Sequence, residues 1–122
     1  MKSAQIVLIN NGLILGVSRK DNHSSFSLPG GKMEAIDNDS YENTAIRECF
    51  EETGIKPFNL RLIYHRENSR TFLADFDINQ QIDHNEPHVV EWVTKEVILN
   101  GSFKDYNIHV VNKIKELGIN LI

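Results

Sequence analysis

Several things are scarce in this chain, and each scarcity excludes something. There is one cysteine, Cys49, in 122 residues. An internal disulfide is therefore impossible, and a reducing compartment suits the chain. No run of Lys or Arg occurs, and the net charge is −4. Broad electrostatic attraction to a nucleic-acid polymer or to an acidic membrane surface is not expected. No apolar run is long enough to span a bilayer. The opening MKSAQIVLINNG lacks the apolar core and small-residue cleavage site of a signal peptide. It reads as a first strand, and the expected location is the cytoplasm. Repeats, low-complexity tracts and linkers are also missing, so residues 1–122 are expected to form a single domain with room for a core. What is present is ordinary for a globular chain: 40% hydrophobic and 25% charged residues. A phosphate-bearing ligand would need neutralising by something other than net charge. A metal ion held by carboxylates would do that.

The pattern alternates strands and helices. Gln5 to Ile9, Asn10-Asn11-Gly12 and Leu13 to Val17 predict a hairpin, because Asn and Gly tolerate positive φ. Leu60 to His65 and Phe72 to Ile78 alternate as half-buried strands, and Val89 to Val93 is a short strand carrying Trp92. Lys95 to Leu99 suggests a helical turn. Asp105 to Leu117 predicts a helix with Ile108, Val111, Ile114 and Lys115 at helical spacing on one face and Gly118 as its stop. The expected class is α/β (α+β), a mixed sheet between helices in an α/β/α sandwich.

The most informative stretch is LPGGKMEAIDNDSYENTAIRECFEETGI, residues 28–55. A long helix is expected after the glycine pair, capped by Asp39 with Glu42 three residues on, and stopped by Gly54. Tyr41, Ala45, Ile46, Cys49, Phe50 and Thr53 form its apolar face. Glu48, Glu51 and Glu52 gather on another, at i, i+3 and i+4. Like charges there repel by a few tenths of a kcal/mol each, and the helix dipole disfavours negative charge in the last turn. Two local preferences are broken together, which marks functional sites. A hard divalent cation would turn the penalty into a binding site. A plain solvated helix face is the alternative for the glutamates alone.

With these residues in place, the chain resembles the Nudix hydrolase family. Gly31 opens the family's signature. Arg47-Glu48-Cys49-Phe50-Glu51-Glu52-Thr53-Gly54-Ile55 closes it, with Leu28-Pro29-Gly30 ahead of it. The likeness extends to the hairpin ending in Arg19, to Glu91-Trp92 and to the last helix. One departure is that the signature's first Glu is matched with Asp39, seven residues rather than five beyond Gly31. The loop Glu34 to Asn38 then carries two extra residues and is expected to be a mobile flank. The resemblance implies Mg²⁺-dependent hydrolysis of a nucleoside diphosphate linked to another group, with Mn²⁺ as a substitute. It implies that Glu48, Glu51, Glu52 and the Gly30 carbonyl hold the metal. Glu48 is the first choice for the base and Glu91 the second, while Arg47 orders the carboxylates. Gly31, Asp39 and Gly54 shape the motif.

The last helix, Phe103 to Lys115, resembles the MutT type of this family, which hydrolyses nucleoside triphosphates to monophosphates. That likeness gives Asn107 a base-reading role and Arg19 a place along the nucleotide. Helix opening is the competing role for Asn107, and a plain surface charge for Arg19. Dinucleoside polyphosphates, ADP-ribose, nucleotide sugars or binding without catalysis are the alternatives. The expected partner is a nucleotide, with the chain a monomer or homodimer. Asp83-His84-Asn85-Glu86-Pro87-His88 is rich in zinc-type ligands. No second cluster completes a site, so it reads as a solvated or substrate-proximal loop. Cys49 and Trp92 read as core residues.

Overall fold

The computed structural model describes residues 1–80, 82 and 88–122. The segment 83–87, with most of the candidate zinc ligands, lies outside the described residues. The expected hairpin forms but is divided. β1 (Ser3–Val7) and β2 (Ile9–Asn10) part at Leu8 and enter different sheets. β2 pairs with β3 (Leu13–Ser18) across a turn in which Asn11 has φ 52° and Gly12 φ 80°. Both central residues take positive φ, the geometry that matches strand twist in a tight hairpin.

The first sheet runs β5 (Gly30–Lys32), β1, β7 (Ser69–Asp75), β6 (Phe58–Arg66). β1 and β7 are parallel and the other pairs antiparallel. The second sheet joins β2, β3, β4 (Phe26–Ser27) and β8 (Val90–Val93), which lies along β3. Helix α1 (Tyr41–Thr53) packs on β1, β5 and β7, and α2 (Lys95–Leu99) and α3 (Lys104–Glu116) pack on each other.

Strand alternation sends residues of β1 and β7 to opposite faces. Ala4, Ile6, Phe72 and Ala74 meet Ala45 and Cys49 of α1. Val7 and Leu73 belong to the other cluster, with Val110 and Ile114 of α3. The sheet is thus mixed and covered by helices on both faces, as expected. The double cover also explains why Thr71 to Ala74 are buried without interruption where alternation suggested a half-buried strand. On the predicted helix faces, Phe50 and Ile108 are exposed instead of inward. Thr44 and Asn107 take the buried arc beside Ala45 and Val111. Among the described residues, no helix is long and apolar enough to cross a membrane.

Candidate active site

The site grows from the junction of β5 and α1. α1 begins at Ser40, whose side chain accepts the Asn43 backbone N–H at 3.1 Å, and ends at Gly54 with φ 78°. Asp39 therefore does not cap the helix. Asn38 and Asp39 both adopt left-handed backbone, with φ 55° and 57°, a conformation that Asn and Asp tolerate better than most residues. This swings Asp39 outward, where its exposed carboxylate meets Lys2 at 2.6 Å.

The acid that meets Arg47 is Asp37. It ends a short 3-10 turn, Ala35–Asp37, and its side chain is 2% exposed. Arg47 donates from Nε to Oδ1 at 2.8 Å and from Nη2 to Oδ2 at 2.9 Å. Oδ2 also accepts the Thr44 hydroxyl and the Glu34 backbone N–H, each at 2.9 Å. The Arg47 fork, outweighing burial, holds the Asp37 carboxyl well below the usual carboxylate range, and the same bonds raise Arg47. Asp37 stands five residues (32–36) beyond Gly31, the spacing of the family signature, and the extra residues follow it. The assignment of that role to Asp39 is corrected accordingly. So is the mobile character of Glu34 to Asn38, since its Asp37 is buried.

Arg47 is a hub. Its Nη1 reaches Glu51 at 3.1 Å and Glu48 at 3.7 Å, and its Nη2 donates to the Lys32 carbonyl at 3.1 Å. It ties α1 to the glycine strand β5. Gly30 N–H donates to Glu52 Oε1 at 2.8 Å. A Cβ on Gly31 would overlap the Glu48 carboxylate, so the absence of a side chain there makes room for it. Glu48 and Glu52 thus meet at the Gly30-Gly31 end of β5. Burial and then the Glu52 charge push Glu48 up to about 7. Burial also pushes Glu52 to about 7, with the Gly30 N–H and Lys20 opposing it. Glu51, 56% exposed, turns towards Arg47.

Among the described residues, no three carboxylate, imidazole or thiolate side chains converge as a closed metal cage. The donor chemistry nevertheless fits a hard divalent cation. Two desolvated carboxylates meet at the glycine pair of β5, and Mg²⁺ typically uses one or two carboxylates, several waters and substrate phosphates.

Beyond these glycines lies a cavity of about 350 Å³, lined by Gln5, Leu28, Gly30, Gly31, Lys32, Phe103 and Tyr106 among others. Glutamate cluster and cavity share Gly30 and Gly31. The other sequence-predicted residues are not brought there. Arg19 is exposed and held bidentate by Asp21 at 2.8 and 2.9 Å. Asn107 is fully buried, and its amide N and O have no hydrogen-bond partner among the described residues. Glu91 is an exposed position of β8, opposite Gly16. Cys49 is buried, which pushes its thiol up to about 12. Trp92 packs on the core with its ring 5.5 Å from that of Phe76. His88, at the edge of the undescribed segment, lies 3.0 Å from the Glu52 carbonyl. Sequence reasoning missed Asp37, although its spacing from Gly31 was available. It also missed Gln5 and Tyr106, for which no local signal existed.

Solved structures with this architecture include the MutT NUDIX hydrolase of Burkholderia pseudomallei. It is 20% identical with TM-score 0.67, over 89% of this chain and 94% of that one. An ADP-ribose pyrophosphatase of Streptococcus suis is 17% identical with TM-score 0.72, over 95% and 90%. The NUDIX domain of Shewanella oneidensis NrtR, complexed with ADP ribose, is 20% identical with TM-score 0.68, over 98% and 88%. At such identities the likeness establishes the fold. The NUDIX domain family model matches residues 1–113, and on that match over most of its length the chain belongs to the Nudix hydrolase family.

Proposed function

We propose that the chain, acting as one unit over residues 1–122, is a Mg²⁺-dependent hydrolase of nucleoside diphosphate-linked substrates. A nucleoside triphosphate, cut to monophosphate and pyrophosphate, is the preferred substrate. The observation that carries this reading is the meeting of Glu48 and Glu52 at the Gly30-Gly31 end of β5, beside a cavity of about 350 Å³. Structures that share the fold include a MutT hydrolase, an ADP-ribose pyrophosphatase and a NUDIX domain complexed with ADP ribose, so the fold alone does not choose the substrate. The resemblance of the last helix to the MutT type favours the triphosphate.

Glu48, Glu52 and the Gly30 carbonyl would hold Mg²⁺, with Glu51 joining from its place on Arg47. The ion supplies neutralisation of phosphate charge, the main requirement of phosphoryl transfer. The chain's own residues do the rest. Arg47 fixes the carboxylates relative to β5. Glu48 is the first choice for the base that takes a proton from water as its oxygen attacks phosphorus and the bridging P–O bond breaks. Glu91 remains the second choice for that base.

A panel of triphosphates, ADP-ribose and dinucleoside polyphosphates at equal concentration tests this. Cleavage is expected with Mg²⁺ and abolished by EDTA, and Mg²⁺ is expected to raise the melting temperature by mass action. Full turnover in chelator would sink the mechanism. A second expectation concerns Gly31→Ala. Its methyl group must displace the Glu48 carboxylate. Misplacement by about 1 Å can cost about 100-fold, so kcat is expected to fall by about 10- to 100-fold in a protein that still folds. An unchanged kcat would remove Glu48 from the chemistry.

A further inference from the structure

The cavity has a floor whose hydrogen bonding is directional. Gln5 and Thr71 are register partners on the parallel strands β1 and β7. The Thr71 hydroxyl donates to Gln5 Oε1 at 2.8 Å. The Thr71 hydroxyl oxygen also lies 2.8 Å from the Tyr106 hydroxyl. A threonine hydroxyl has one proton to give. Because Thr71 spends it on Gln5, Tyr106 must be the donor of the second bond. Phenols suit that role, and the Arg66 guanidinium 5.7 Å from the Tyr106 ring centre strengthens it. Tyr64 fixes the ring further by an edge contact at 5.0 Å between centroids.

The result is a three-residue relay on the α3 face of the sheet, at the cavity. It fixes the Gln5 amide with its oxygen end on Thr71 and its nitrogen end turned away. Among the described residues the Gln5 amide nitrogen has no protein partner, and Gln5 lines the cavity. What Gln5 offers a ligand is therefore a pair of N–H donors. Phe103, 55% exposed, stands on the same cavity and offers a flat apolar face. A neutral donor beside an aromatic wall suits a heteroaromatic ring better than a phosphate, which belongs at the glutamate end.

We propose that Gln5, held by Thr71 and Tyr106, selects the base, and that the cavity takes a nucleobase presenting a keto oxygen to it. This rests on the nucleotide reading of the site. Thr71 is fully buried and acts as a positioning residue, through Gln5. An amino group at the same place on the base would set donor against donor. A keto group would complete the bond.

The test compares IMP with AMP, which differ at the position in question. Dissociation constants are measured by calorimetric or NMR titration of the intact protein. Binding needs no turnover, so failure of the hydrolysis panel and failure of this inference read out separately. Wild-type protein is expected to favour IMP by about tenfold, the worth of one well-placed hydrogen bond. Thr71→Ser keeps the hydroxyl and is expected to keep that ratio. Thr71→Val removes it, frees the amide to rotate and is expected to bring the ratio to within about twofold of unity. Gln5→Glu turns the donor into an acceptor and is expected to reverse the preference towards AMP. The ratio cancels any general charge penalty of the new carboxylate. No preference in the wild type, failure of both nucleotides to bind, or an intact ratio in Thr71→Val and Gln5→Glu would overturn the proposal.

Discussion

Asp37→Ala is expected to destabilise the protein by about 3 kcal/mol, and Asp39→Ala by less than about 0.5 kcal/mol. The two acids sit two positions apart but in opposite environments. Asp37 is buried and accepts four hydrogen bonds, two of them from Arg47. Removing it leaves a largely buried guanidinium without its main partner. Breaking a buried pair from one side typically costs about 3–5 kcal/mol. The lower end applies here because Arg47 keeps Glu51 and the Lys32 carbonyl. Thr44 loses less, since its hydroxyl proton has the Ser40 carbonyl at 3.1 Å as an alternative acceptor. Asp39 has one exposed partner, Lys2, and exposed pairs contribute little.

The pair also sets an acid limit. The folded state holds Asp37 below its ordinary value. Its contribution is therefore present above the unfolded carboxylate pKa, about 3.9. It is lost as pH falls from there towards the lowered value. Urea titrations of wild type and both variants at neutral pH, repeated near pH 3, check this. Equal losses from Asp37→Ala and Asp39→Ala would return the motif role to Asp39. The wild-type advantage over Asp37→Ala is expected to shrink in acid.

That contrast shows where the sequence was legible. Helix α1 could be placed because its determinants are local: a polar cap, an apolar arc, a glycine stop. The glutamate spacing within it carried the family resemblance. The acid ahead of the helix was ambiguous because two residues were gained between Gly31 and Arg47. Either Asp37 or Asp39 could preserve one of the two spacings. Burial decides, and burial depends on Asn38 and Asp39 adopting left-handed backbone, which local spacing does not fix. Helical period was a fair guide to which arc faces inward but a poor guide to its width. Phe50 and Ile108 lie at the edge of their arcs and remain in solvent. The Gln5–Thr71–Tyr106 relay was illegible for a different reason. Its bonds join residues 66 and 35 positions apart, and only strand order and register bring them together. Asn107 fell between these cases. Its position on the helix was readable, its complete enclosure was not.

Glu52→Gln is expected to lower kcat by at least about 100-fold while leaving stability, measured in EDTA, equal to the wild type or higher by about 1 kcal/mol. The two directions follow from one feature. Glu52 accepts the Gly30 N–H, and a glutamine oxygen accepts the same bond. The variant therefore keeps the local fold. What it loses is a charge that burial already penalises and that raises its neighbour Glu48. A residue kept for structure would cost stability when altered. A residue kept for holding a cation against the fold's own preference would release it. Activity moves the opposite way, because fixed charge in a desolvated site is the largest contribution to this kind of chemistry. The same loss should shrink the Mg²⁺-dependent rise in melting temperature, which separates metal binding from general damage. Wild-type kcat in Glu52→Gln, or a variant that melts well below the wild type in EDTA, would assign Glu52 to the scaffold of the glycine strand and leave the cation to other residues.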